Sequence, residues 1–140
     1  ERSGLKVVID MAALKVPFLY TCTVTSRQMI REQAIAVQRM VEAIAAGVHF
    51  FKTNKEESIK IMSKYTRGAN REILEGAYSA YSQLFVEDTY PTLEGLRNTL
   101  EVQSSWDPKA AKAKAEDFVD LRFVDQLRSS RFIDKLYGRK

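Results

Sequence analysis

One stretch constrains this chain more than any other. Ile30, Ala34, Val37, Val41, Ile44, Val48 and Phe51 recur at spacings of four and three. That spacing lines them up along one side of an α-helix of roughly six turns. Arg31, Glu32, Gln38, Arg39, Glu42 and Lys52 fall on the other faces and are expected in water. Thr25 reads as the N-cap, with Gln28 as its capping-box partner. With no proline between Arg27 and Phe51, the helix is expected to run unbroken.

The remaining pattern is mostly helical too. Asn54 with Glu57 makes a second capping box, opening a helix to about Tyr65 with Ile61, Met62 and Tyr65 inward and Gly68 beyond its end. Asn70 caps a third helix, with an apolar stripe of Leu74, Ala77, Tyr78, Tyr81, Leu84 and Phe85. Asp88-Thr89-Tyr90-Pro91 is a turn, and Thr92 caps a fourth helix with Leu93, Leu96 and Leu100 inward. Asp107-Pro108 ends it, and Lys109 to Lys114 reads as a solvated linker or loose helix. A last helix covers Leu121 to Arg128, and a short turn carries Phe132, Ile133, Leu136 and Tyr137. At the N-terminus, Leu5–Ile9 and Phe18–Val24 read as short strands, the second started by Pro17. The expected fold is mainly α, with about five to six helices and two short N-terminal β-strands.

Composition narrows the function. A chain of 140 residues fits one domain, and no apolar run approaches the ~20 residues of a membrane span. The chain opens on Glu1-Arg2-Ser3-Gly4 and is read as an excised segment or a processed product. Its net charge of +4 is spread among acids, which argues against nucleic acid as a partner. The single Cys22 rules out an internal disulfide and a cysteine-based zinc site, and its apolar neighbours suggest an inert buried thiol. His49, the one histidine, lies beside the apolar seam and reads as structural. Glu56-Glu57 suits a helix N-terminus, where the dipole favours acids. No cofactor, metal or catalytic set is expected, and the chain does not read as an enzyme. Tyr20, Thr21 and Thr23 stand apart. On an extended segment their hydroxyls are either hydrogen-bond partners for a small polar ligand or simply the face of a sheet.

Several phrases carry a resemblance: Gly4-Leu5-Lys6-Val7-Val8-Ile9-Asp10, Pro17-Phe18-Leu19-Tyr20, Val24-Thr25-Ser26-Arg27, Tyr90-Pro91-Thr92-Leu93-Glu94-Gly95-Leu96 and Phe132-Ile133-Asp134-Lys135-Leu136-Tyr137. In this order they resemble the C-terminal portion of ABC-importer substrate-binding proteins of the nitrate/sulfonate/taurine type, which include binders of thiamine precursors. The resemblance implies a fragment of the type II periplasmic-binding-protein fold, with two α/β lobes and ligand held between them. It implies a second-lobe remnant over 1–17, a hinge strand over 18–25 and a helical part over 26–140. The parent would be periplasmic or otherwise extracytoplasmic, and would hand a small polar or anionic solute to a membrane permease. Alone, this C-terminal fragment is expected not to bind that solute. Its N-terminal strands, left without partners, would pair with a second copy into a homodimer.

Two departures from the family pattern stand out. The family usually carries Asn-Pro-Asp near Gln33-Ala34-Ile35, and a glycine where Arg131 stands, so a left-handed helix cap there is either lost or strained. A free-standing helical domain for protein contacts is the alternative reading.

Overall fold

Short polar side chains start three of the helices. In the computed structural model, which describes residues 6, 8, 9, 14–19 and 21–139, Ser26 accepts a hydrogen bond from the Met29 N–H at 3.0 Å. It thereby caps α1 (Arg27–Glu32). The Thr25 capping box is therefore displaced by one residue, and the Gln28 amide instead donates to the Glu32 carboxylate. The helix does not run unbroken. Gln33 adopts φ −134° and ψ 41°, and α2 (Ala34–Thr53) begins after it. The break falls where packing starts. No residue of α1 is buried, while α2 carries buried Gln38 and Ala45. Propensity alone does not hold so short an unpacked helix in line with its neighbour.

Next come α3 (Lys55–Tyr65), α4 (Arg71–Leu84) and α5 (Leu93–Ser104). Asn70 and Thr92 cap α4 and α5 as expected, accepting from Ile73 N and Gly95 N at 3.0 and 3.1 Å. Asn54 does not cap α3. Its amide donates back to Phe50 O and to Thr53 Oγ1. Two 3-10 turns, Ala110–Lys112 and Ala115–Phe118, precede α6 (Arg122–Ser129) and α7 (Phe132–Leu136). The described residues are thus mainly helical, and none of them lies in a strand.

The chain divides into two compact units: Glu1–Thr23 with Pro91–Val119, and Val24–Tyr90 with Asp120–Lys140. In the larger unit α2 packs against α3, α6 and α7. One core joins Ala45, Leu127 and Ile133, with Val41, Phe132 and Tyr137 around them. A second joins Ile59, Leu74 and Tyr78, with Phe51, Met62 and Ala69 beside them. The Phe51 ring meets Tyr78 at 5.0 Å and Phe85 at 5.4 Å.

The inward face of α2 is rotated slightly from the expected seam. Ala34 is exposed, Gln38 is buried and Lys52 is half-buried. The Lys52 ammonium donates to Ser82 O at 2.7 Å and Phe85 O at 2.9 Å, which satisfies carbonyls at the end of α4. On α3 the inward residues are Ser58 and Ile59, with Met62 half-buried, whereas Ile61 and Tyr65 are exposed. On α4, Leu74 and Tyr78 are buried, but Tyr81 and Leu84 are exposed. Arg131 keeps the left-handed backbone that a glycine would favour, at φ 56° and ψ 31°. The cap is therefore retained and strained, at a cost of roughly 1–2 kcal/mol.

In the smaller unit α5 packs against both 3-10 turns, burying Leu96 and Ala115. The two expected strands are not formed among the described residues. Lys6, Val8 and Ile9 are in no regular element, nor are Phe18, Leu19 and 21–24, and the rest of both segments lies outside the described residues. Two strands make a poor sheet by themselves. The backbone of 17–19 finds its hydrogen bonds on a helix instead.

Candidate functional site

Residues 17–19 are clamped by one face of α5. Asn98 Nδ2 donates to Pro17 O at 2.8 Å. The Leu19 N–H donates to Gly95 O at 3.3 Å and to Thr99 Oγ1 at 3.2 Å. The Thr99 hydroxyl in turn lies 2.8 Å from Gly95 O and 3.2 Å from Leu19 O, and its single proton serves one at a time. Gly95, Asn98 and Thr99 are three and four residues apart, so they share one helix face.

Glycine is favoured at this contact for space. A Cβ on Gly95 would stand 2.7 Å from Thr92 Oγ1 and 3.3 Å from both the Phe18 and Leu19 nitrogens. Residues 17–19 and the phrase Tyr90–Leu96, so far apart in sequence, therefore meet at a position where a side chain is crowded.

The expected ligand contacts follow directly after the clamp. Tyr20 lies outside the described residues. Thr21 and Thr23 are exposed and outside any helix or strand, so their hydroxyls are open to a polar solute. Cys22 between them is exposed, which corrects the expectation of a buried thiol. Without a sheet, the segment has no inner face on which to bury it. Sequence reading missed Asn98 and Thr99. Their signal was present, since they fall on the Gly95 face of α5, but nothing in the spacing said that a backbone segment would lie there.

Polar chemistry in the larger unit gathers around an open depression of about 560 Å³. Phe85, Val86, Leu127 and Ile133 form its apolar lining, and three arginines stand at its edges. Arg128 donates through Nε and Nη2 to Asp88 Oδ2, and its guanidinium lies 3.6 Å over the Tyr90 ring. Arg139 donates to Glu87 at 2.7 Å and covers the Tyr137 ring at 4.7 Å. Arg131 donates to Asp134 at 3.0 Å. Each cation has its own carboxylate. Arg128–Asp88 and Arg139–Glu87 staple the 85–90 segment to α6 and to the residues after α7, while Arg131–Asp134 is local to the start of α7.

The Tyr137 phenol is perturbed by this packing. Burial pushes the Tyr137 phenol up, the nearby Glu87 adds to the shift, and Arg139 opposes it. The Tyr137 hydroxyl is buried with no hydrogen-bond partner among the described residues. His49 meets the same ring edge-on at 4.5 Å, as a structural histidine would. Elsewhere, the hydrogen bond from Arg122 holds the Asp120 carboxyl below its ordinary range, against the effect of burial. Glu56 and Glu57 open α3, with Glu56 paired to Arg71.

Nothing local in the sequence announced the pairs Arg128–Asp88 and Arg139–Glu87, which join residues 40 and 52 positions apart. Among the described residues no three His, Cys, Asp or Glu side chains gather to hold a metal. No family model, no curated protein and no solved structure matches this chain.

Proposed function

We propose that the chain is the C-terminal portion of a solute-binding component of an ABC importer, with no catalytic step of its own. The observation that carries the reading is the clamp at Gly95. It brings together two of the phrases on which the resemblance rests, at a close contact that favours glycine. It also anchors the start of the segment read as a hinge. The chain passes from one compact unit to the other between Thr23 and Val24, inside that hinge segment of 18–25. It passes again after Tyr90 and after Val119.

In this reading Tyr20, Thr21 and Thr23 offer hydroxyls to a small polar or anionic solute, while the rest of the cleft belongs to the parent. The parent is extracytoplasmic and docks on a membrane permease. The test is to read the gene upstream of Glu1 and express its whole product. A secretion signal and an α/β lobe upstream, with solute binding by the intact protein, are expected. An upstream frame lacking that lobe overturns the reading.

A second reading, a free-standing helical domain for protein contacts, is favoured by one observation. Ile35, Met40 and Phe50 of α2 are exposed at 78%, 53% and 40%. The same gene sequence separates the two, since a complete frame limited to the helical part favours the second.

A further inference from the structure

The helix α2 is apolar on more sides than the larger unit covers. Its length and hydropathy would suit a membrane span, yet only Gln38 and Ala45 are buried among its 20 residues. A helix apolar all round is normally enclosed. Its outer face carries Ala36, Met40, Ala43, Gly47 and Phe50, all exposed. A Cβ on Gly47 would meet nothing within 4 Å. Arg39 lies on one edge of this face, and Glu42 lies further round on the same side.

We propose that this face is a self-docking surface, through which two copies of the chain pair antiparallel about a two-fold axis. The charges select the arrangement. At 1.5 Å of rise per residue, an axis level with the midpoint of Met40 and Val41 sets Arg39 of each copy at the height of Glu42 of the other. Both pairs lie on the same flank. In that register Ala36, Ala43 and Gly47 of the two copies interleave at intervals of about 3 Å. The two Met40 side chains meet at the centre, where a flexible thioether fills an irregular gap. A parallel pair in register would carry the Arg39 and Glu42 of the two copies on opposite flanks, so that neither charge would meet its complement. A bilayer would have to take in both charges near mid-helix, which is costly. The face is narrow, so the dimer belongs among small, concentration-dependent interfaces. This inference does not rest on the importer reading.

Sedimentation velocity of the 140-residue chain from micromolar to submillimolar concentration tests it. A monomer–dimer equilibrium is expected. Arg39→Glu and Glu42→Arg should each weaken it about tenfold or more. The double reversal R39E/E42R should return it to within about threefold of the original, because the pairing is restored. Gly47→Lys faces open space, leaves the monomer's packing untouched and should abolish the dimer. A chain that stays monomeric throughout overturns the proposal. So does a dimer indifferent to Gly47→Lys, a double reversal that fails to restore pairing, or a dimer lost only when residues 1–23 are removed. Partition of the chain into lipid vesicles in place of dimerisation overturns it as well.

Discussion

Gly95 illustrates how one position can answer to two opposed demands. Alanine is the better helix former by about 1 kcal/mol. Here, however, a Cβ would stand 2.7 Å from the hydroxyl that caps α5 and against the backbone of Phe18 and Leu19. Overpacking of that kind costs about 1–3 kcal/mol. Gly95→Ala should therefore destabilise the chain by about 1 kcal/mol net in urea unfolding. A stabilised variant would show that the segment 17–19 is not held as described. Tyr137 makes the complementary case. Its hydroxyl is buried without a partner among the described residues, so deleting it removes a desolvation cost and no hydrogen bond. Tyr137→Phe should leave stability unchanged or raise it by up to about 1 kcal/mol. The wild-type phenol is raised above its ordinary value of 10.0. A raised group contributes stability that is full below the unfolded value and is lost as pH rises through the folded one. Above about pH 10 the wild type should lose stability faster than Tyr137→Phe. Parallel alkaline limbs in thermal melts would contradict this.

Elements are joined here by side chains that bind carbonyls as much as by apolar contact. Lys52 on α2 carries its charge to the C-terminal carbonyls of α4, where a cation is favoured by the helix dipole. Lys52→Met keeps most of the stem and loses both hydrogen bonds. It should cost about 1–3 kcal/mol by chemical denaturation. Lys55 is exposed, with its ammonium 6.0 Å from the Tyr78 ring, and Lys55→Met should change stability by no more than about 0.5 kcal/mol. Equal losses from the two variants would mean that the capping of α4 contributes nothing. The break at Gln33 belongs to this scale as well. It separates a helix that buries nothing from one that is anchored in the core from Val41 onward.

For the whole molecule, the extent of the chain bears on ligand binding. If the chain is part of a solute-binding protein, it holds only one portion of the cleft. A small ligand needs most of its surface enclosed before binding offsets the cost of ordering. Calorimetry of the isolated chain against nitrate, taurine, alkanesulfonates and pyrimidines should show no micromolar binding. A micromolar complex with any of them would place a complete site within these residues.

Helix positions were legible in the sequence wherever a cap and an apolar period coincided, as at Asn70 and Thr92. Both are local signals, set within a few residues, and local hydrogen bonding decides them. The same is true of the seam on α2, whose Val41 and Phe51 do turn inward. Rotation of each helix about its axis was not legible. Gln38 and Lys52 went inward and Ile61 and Tyr65 outward, because the neighbours that cover a face come from distant sequence. The segment 17–24 shows the limit most clearly. Its alternation reads as a strand, but a strand exists only with a partner, and here Asn98, Thr99 and Gly95 offered hydrogen bonds first. The charged pairs around Arg128 and Arg139 follow the same rule. Their residue types are written in the chain, but which carboxylate each guanidinium meets depends on the path that folding takes between them.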